Sequence, residues 1–169
     1  NKQGEILPRQ WLTNLMSGVP LSIWYDWRDD GNNPTVAERH FGTVHYQYRA
    51  GKNPPFEPKP AYLAAKTLTT QLRGYRFALR IPQRSKDDYV LLFTRGDESR
   101  LVAWTTSPAH DIQLTNLTGT FDVVSHVGQA QPAIVAQASG LDLSSGNGPI
   151  YILPRSGNDS LKIFMRPMK

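Results

Sequence analysis

The sequence has no cysteine among its 169 residues. This absence excludes a disulfide scaffold, a metal site built on thiolates and a cysteine nucleophile. Long apolar runs are also missing, since no stretch approaches the roughly 20 apolar residues that a transmembrane helix needs. The sequence therefore predicts no membrane span, and any chemistry must rest on residues other than cysteine.

Positive charge is in excess but is not clustered. Of the net charge of +5, all lies in residues 1–80, which carry 11 Lys and Arg against 6 Asp and Glu, whereas residues 81–169 carry 8 against 8. The basic residues are scattered singly among prolines and aromatics, and a nucleic-acid-binding protein usually gathers them along one helix or face. The charge pattern predicts no nucleic-acid partner.

Several common catalytic motifs are missing as well. The sequence has no Gly-x-Ser-x-Gly nucleophile elbow, no phosphate-binding loop and no His-Glu-x-x-His metal helix. The spacing of Asp29, Asp30 and Asn32 faintly resembles a calcium-binding loop, but the downstream Glu that completes such a loop is missing at the required offset. We therefore predict no metal and no cofactor.

Apolar periodicity in the first half predicts two helices. A stripe with a spacing of four residues predicts the first helix over residues 5–17, and Gly18 is a natural residue to end it. The second helix is predicted over residues 60–72, because Pro60 suits the first turn and an apolar stripe follows it. Gly74 would end the second helix.

The segment between the two helices combines an apolar run with polar and aromatic residues. A short, nearly continuous apolar run over residues 19–27 predicts a strand buried on both faces, as in a parallel sheet. A polar turn over residues 28–34 and a long loop over residues 35–60 follow it. Ligands bind at the carboxyl ends of strands in α/β folds, so this loop is expected to be functional.

From residue 77 onward the apolar period changes to two. Short runs separated by turn residues are typical of an antiparallel β-sandwich. The predicted strands cover residues 77–81, 89–94, 100–106, 111–114, 120–125, 134–136 and 150–153.

The change of period suggests a division of the chain into residues 1–75, 76–154 and a tail over 155–169. One buried parallel strand with two helices cannot pair its own edges. We therefore expect residues 1–75 to need partner strands from a longer protein, and the start at Asn1-Lys2 to be a cut end.

Three segments carry a family resemblance. They are Gly-Val-Pro-Leu-Ser-Ile-Trp-Tyr-Asp-Trp-Arg-Asp-Asp-Gly over residues 18–31, Glu-Arg-His-Phe-Gly over 38–42, and Pro-Lys-Pro-Ala-Tyr-Leu-Ala-Ala over 58–65. Their order resembles the C-terminal end of retaining glycoside hydrolases, of the family 5 and family 39-like (β/α)8 barrels. In such enzymes a small β-sandwich often follows the barrel.

The resemblance implies a fold class of α/β plus all-β. Residues 5–17 resemble helix 7 of a TIM (β/α)8 barrel, residues 19–27 its last strand, and residues 60–73 its last helix. A small antiparallel β-sandwich would follow. The remainder of the barrel is then a partner of this segment.

The resemblance also implies the activity. Retaining glycoside hydrolases cleave an O-glycosidic bond of a poly- or oligosaccharide with two glutamates, whose carboxyls lie about 5 Å apart. Both glutamates are expected before residue 1, and Glu5 falls at the start of a helix, away from the barrel mouth. The chain is thus expected to hold no catalytic residue, and its parent to be exported, secreted or periplasmic.

Five residues are the candidates for binding the carbohydrate substrate. Trp24 is the favoured platform for stacking on a pyranose ring, and Trp27 lies three residues further on, on the opposite face of an extended strand. Asp26, Asp29 and Asp30 carry carboxylates, which accept hydrogen bonds from sugar hydroxyls. His40 and His45, in the long loop, are interpreted as structural histidines.

Two other functions remain open from the sequence. The chain is alternatively a non-catalytic carbohydrate-binding module or a structural β-sandwich that shields the flank of the barrel. A binding sandwich exposes a row of aromatics, whereas the aromatics after residue 76 lie in alternating strands where burial in the core explains them. For the sandwich by itself, the structural role is favoured.

Overall fold

A computed structural model describes residues 2–165 of the chain. Helix α1 covers Lys2–Met16 and helix α2 covers Pro60–Gln71, which confirms both predicted helices. The two helices pack closely because Gly4 of α1 faces Pro60, where a Cβ atom would come within 2.8 Å of the proline ring. A side chain at position 4 would therefore push the two helices apart.

The predicted strand over residues 19–27 is wrong for this chain. The segment forms no strand, and a single parallel bridge joins Arg28 to Val44. Leu21, Ile23 and Tyr25 are 71%, 77% and 70% exposed, whereas the residues between them are half-buried. A parallel strand is held by hydrogen bonds to its neighbours, and within residues 2–165 the backbone of residues 41–44 bonds only to the end of the segment, at Asp26 and Trp27.

The long segment over residues 35–60 is more ordered than predicted. It contains a 3-10 helix over Ala37–His40 and an antiparallel pair of strands, β1 over Val44–Tyr48 and β2 over Phe56–Pro58. The alternation of aromatic and polar residues in β1 has the period of a strand. This alternation in the sequence indicates a strand, and the prediction of a loop over residues 35–60 did not take it into account.

The second half of the chain forms two antiparallel sheets. The order in the six-stranded sheet is β3-β4-β5-β10-β7-β8, and β6 pairs with β9 in a sheet of two strands. The strands are β3 Arg76–Arg80, β4 Asp88–Arg95, β5 Glu98–Thr105, β6 His110–Leu114, β7 Thr120–Val124, β8 Ala130–Val135, β9 Leu141–Ser145 and β10 Ile150–Pro154. The seven predicted strands are confirmed with shifted ends. Strand β9 was missed because glycines and serines surround it.

The six-stranded sheet is covered on both faces. On β5, Leu101 and Ala103 point into a core shared with β6 and β9, whereas Val102 and Trp104 point into a second core shared with α1 and α2. The alternation of side chains along a strand explains this division. The helices of the first half therefore share a hydrophobic core with the sheet of the second half.

The segment after β10 packs onto the sandwich core. Residues Ser160–Met165 form a 3-10 helix, and Leu161 is buried in the core shared by the two sheets. The described part of the predicted tail over residues 155–169 therefore packs against the sandwich. Residues 166–169 lie outside the described part of the chain.

An ion pair between His110 and Asp88 ties the first residues of β6 and β4 together. The Nδ1 atom of His110 lies 2.9 Å from the carbonyl oxygen of Pro108, and Nε2 lies 3.0 Å from Asp88 Oδ1. Both ring nitrogens thus face acceptors, which only the protonated imidazole satisfies. The Pro108 carbonyl and the Asp88 carboxylate raise the pKa of His110.

We expect this pair to make the stability of the chain fall with rising pH. Its stabilisation is complete below the unfolded pKa of about 6.5 and is lost as the pH rises through the higher folded pKa. Thermal unfolding measured across this window should show a decline in Tm that His110→Gln removes. His126→Gln is the control. Burial lowers the pKa of His126, so this residue titrates at a lower pH than the window in which His110 is expected to lose its proton. An identical decline in His110→Gln contradicts the prediction.

Candidate functional site

A buried ion pair lies at the centre of the loops that follow the 19–27 segment. Asp29 is 3% exposed and Lys59, just before α2, is 6% exposed. Lys59 Nζ donates to Asp29 Oδ1 at 2.8 Å and to the carbonyl oxygen of His40 at 2.8 Å. One ammonium group thus joins the acidic turn, the 3-10 helix and the start of α2.

Backbone contacts hold Asp29 in place from the other side. The Asp29 N–H donates to the carbonyl oxygen of Val44, and the Lys59 N–H donates to that of Thr43, each at 3.0 Å. Gly42 makes this approach possible, because a Cβ atom there would collide with the backbone of Arg28 and Asp29. The chain therefore crosses itself closely at this point, and glycine is required at position 42.

Two histidines face the second oxygen of the buried carboxylate. His40 Nδ1 lies 3.7 Å and His45 Nδ1 lies 3.9 Å from Asp29 Oδ2. Both distances exceed a hydrogen bond. His40 is half-buried and its Nε2 lies 2.8 Å from the carbonyl oxygen of Asn33, whereas His45 is exposed. The histidines that were interpreted as structural thus approach one predicted site residue, Asp29.

These groups line an open cavity of about 870 Å³. Its polar wall includes Asp29, His40, His45 and Lys59, and further lining residues are Gln3, Ile6, Trp24, Phe41, Tyr46 and Glu57. The cavity has the size and the mixed apolar and polar lining of a small-molecule site.

The two predicted tryptophans differ in exposure and in their contacts. Trp24 is half-buried, and its Nε1–H donates to the carbonyl oxygen of Phe41 at 3.0 Å. Trp27 is exposed, with its ring centre 5.8 Å from that of Tyr62 on α2. Trp24 lines both the first cavity and a second one of about 550 Å³, which Trp27 and Tyr62 also line.

The other two predicted carboxylates have different surroundings. Asp26 is half-buried and lines the second cavity, and burial, followed by the charges of Asp30 and Asp29, raises its pKa. Asp30 is exposed, and its backbone N–H donates to the carbonyl oxygen of Arg39. The structure thus brings Trp24, Asp29 and both histidines to one cavity, and Trp24, Asp26 and Trp27 to the other.

Lys59 and Tyr25 are the residues that the sequence reasoning missed. Lys59 belongs to the Pro-Lys-Pro segment, and a lysine between two prolines before a helix was a signal available in the sequence. Tyr25 is exposed at the end of the row formed by Leu21 and Ile23, with its ring centre 6.4 Å from that of Phe41. The prediction of a buried strand concealed its exposure.

Within residues 2–165, no three His, Asp or Glu side chains are arranged to hold a metal ion. Across the same range, no helix is both long enough and apolar enough to cross a membrane.

Solved structures with a similar fold are glycoside hydrolases. A family 39 glycoside hydrolase from the gut symbiont Bacteroides cellulosilyticus matches with a TM-score of 0.73 and 24% identity, over 90% of this chain and 30% of that protein. A GH30 endoxylanase from Clostridium papyrosolvens matches with a TM-score of 0.52 and 10% identity, over 89% of this chain and 37% of that protein. No family model and no curated protein matches the sequence.

The chain therefore has the fold of one part of these enzymes. It spans about a third of the length of each, with helices packed on an antiparallel sheet. At these identities the likeness concerns the fold, and the activity of the chain needs an argument from its own residues.

Proposed function

We propose that the chain is the C-terminal part of a retaining glycoside hydrolase that cleaves O-glycosidic bonds in a poly- or oligosaccharide. In this proposal residues 19–27 supply the last strand of a (β/α)8 barrel and part of its sugar-binding mouth. The observation that carries it is the exposed apolar row of Leu21, Ile23 and Tyr25, which ends at the two cavities described above.

The backbone of this row supports the assignment. Within residues 2–165, the backbone N–H groups of residues 21–25 donate to no backbone carbonyl oxygen. Residues of α1 and α2 lie beside the segment on one side. A stretch with free backbone groups and an apolar face is a strand that lacks its neighbours. In a barrel, neighbouring strands pair with both edges of such a stretch, and the outer helices and the side chains of the barrel interior cover its two faces.

The chemistry assigned to this chain is binding and positioning. In the retaining mechanism one glutamate attacks the anomeric carbon and the other protonates the leaving oxygen and then activates water. We place both glutamates in the part of the parent that precedes residue 1. The aromatic and acidic residues at the end of the 19–27 segment would hold the sugar beside them, with Trp24 as the stacking platform.

The first experiment is to determine the gene sequence upstream of Asn1 and to assay the encoded protein on aryl glycosides. The proposal expects about 200–300 further residues with alternating strands and helices, and a glutamate at the end of the strand before residue 1. A start codon directly before Asn1 would contradict the proposal that a barrel precedes this chain. The chain would then be a sugar-binding or structural module.

Trp24→Ala in the active parent should lower turnover by roughly 10- to 1,000-fold with the fold intact, because stacking that holds the sugar in the transition state is lost. Steady-state kinetics and circular dichroism measure the two parts of this expectation. Asp142→Asn is the control, since Asp142 lies on β9 and accepts a hydrogen bond from Gln113 on β6, in the two-stranded sheet. Unchanged kinetics in Trp24→Ala removes this residue from the site.

For the β-sandwich itself, the observations favour a structural role over carbohydrate binding. Four of its aromatic residues, Phe93, Trp104, Phe121 and Tyr151, are buried, and Phe77 and Tyr89 are half-buried. Because Trp104 and Tyr151 pack with Leu12 of α1, we assign to the sandwich the support of the helices beneath the site.

A further inference from the structure

We propose that Asn147 and Gly148 form a site of spontaneous modification, at which Asn147 is converted into aspartate and isoaspartate with the assistance of Arg9. The pair lies on the sandwich, in the turn that joins β9 to β10. It is the one Asn-Gly pair in the sequence. The modification is independent of the proposed hydrolase activity.

The pair supplies both partners of the reaction. The backbone nitrogen of Gly148 attacks the side-chain amide carbon of Asn147, its proton passes to the leaving nitrogen, and ammonia departs as a succinimide ring closes. Water then opens the ring at either carbonyl, which gives aspartate or isoaspartate. One water is consumed and one ammonia is released, so the conversion needs no further reactant.

The attacking nitrogen is accessible. Asn147 is exposed, and within residues 2–165 the N–H of Gly148 donates to no backbone carbonyl oxygen. Glycine has no Cβ atom to hinder the attack. The fold also favours glycine at this position, because a Cβ atom on Gly148 would lie 2.3 Å from Nδ1 of the half-buried His126. Asn147 is therefore followed by the residue that obstructs the reaction least.

Arg9 of α1 activates the amide that is attacked. Its Nη1 donates to Asn147 Oδ1 at 3.2 Å, and because a guanidinium group only donates, the atom it contacts is the carbonyl oxygen. Negative charge develops on this oxygen during the attack, and a cation beside it stabilises that charge. The helix thus assists a reaction in a turn of the sandwich, 138 residues further along the chain.

The two products change the contact between α1 and the turn in different ways. Aspartate presents a carboxylate to Arg9 where the amide stood, which converts the hydrogen bond into an ion pair. Isoaspartate routes the backbone through the former side chain and lengthens it by one methylene, which is expected to move Gly148 away from the ring of His126. The imidazole resonances of His126 therefore report the second product.

Asn158 is an internal comparison within the same chain. Its Nδ2 donates to the carbonyl oxygen of Thr120 at 3.2 Å, and its Oδ1 accepts from the N–H of Ser160 at 3.1 Å. The next residue is Asp159, whose side chain hinders attack by its own backbone nitrogen. Asn158 is expected to remain an asparagine under conditions that convert Asn147.

The test is to incubate the purified 169-residue chain at neutral pH beside a synthetic peptide of residues 141–153. Peptide mass spectrometry follows each asparagine by the mass gained when an amide becomes an acid, and labelling by isoaspartyl methyltransferase measures isoaspartate. We expect Asn147 in the folded chain to convert at least as fast as in the peptide, with Asn158 unchanged. Conversion in the peptide alone, or equal conversion of Asn147 and Asn158, overturns the inference.

Variants of Arg9 separate activation of the amide from mere exposure. Arg9→Met removes the donor and is expected to slow the conversion by about three- to tenfold, less than the loss of a donor in a dry site because water also reaches this oxygen. Arg9→Lys keeps a cation and should recover part of the rate. Lys66→Met removes an exposed cation of α2 and should convert like the parent chain, and circular dichroism compares the folds. Equal rates in Arg9→Met and Lys66→Met, or faster conversion in Arg9→Met, contradict the role of Arg9 and overturn the inference.

Discussion

Lys59→Met is expected to destabilise the folded chain by about 3–5 kcal/mol, because it leaves the carboxylate of Asp29 buried without its cation. The substitution also removes the donor to the His40 carbonyl oxygen, which lies 2.8 Å from Nζ. Denaturant unfolding followed by tryptophan fluorescence measures the change, and the midpoint should move strongly at an unchanged slope.

Two further variants identify the cause of this loss. Lys66→Met removes an exposed lysine of α2 and should change stability by less than about 0.5 kcal/mol. Asp29→Leu combined with Lys59→Met removes both charges and should recover much of the loss, because an apolar pair of similar size needs no desolvation of ions. Equal unfolding midpoints for Lys59→Met and Lys66→Met would show that groups other than Lys59 stabilise the carboxylate of Asp29.

Trp104→Ala is expected to lower the free energy of unfolding by about 3–5 kcal/mol, the range for removing a fully buried aromatic side chain. Trp104 is 1% exposed, and its ring stacks on that of Tyr89 with centres 4.6 Å apart. It belongs to the core that joins α1 and α2 to the six-stranded sheet. The substitution should therefore loosen the helices first, which amide hydrogen exchange measures residue by residue.

Phe121→Ala is the matched control for this pattern. Phe121 is equally buried but belongs to the core between the two sheets. Its loss should lower the protection of amides in β6 and β9 more than that of amides in α1. The same exchange pattern in both variants would show that the two cores unfold as one unit.

The candidate site was predictable in its location and not in its internal arrangement. The acidic and aromatic residues after the apolar run 19–27 indicated a binding region, and the described cavities lie there. Nothing local distinguishes Asp29 from Asp30, yet one is buried and the other exposed. Their difference follows from Lys59, which is 30 residues further along the chain.

Local periodicity by itself determined both helices and most of the antiparallel strands, because each repeats its apolar residues at the spacing of its own backbone. The residues of 18–31 and 58–65 also carried the resemblance to glycoside hydrolases. Tertiary structure decided the rest. An apolar run becomes a buried strand where neighbouring strands pair with it. Within residues 2–165 no strand pairs with residues 21–25, so Leu21, Ile23 and Tyr25 remain exposed. Likewise, the Asp29–Lys59 pair and the shared core of helices and sheet depend on contacts between distant residues, which no local pattern encodes.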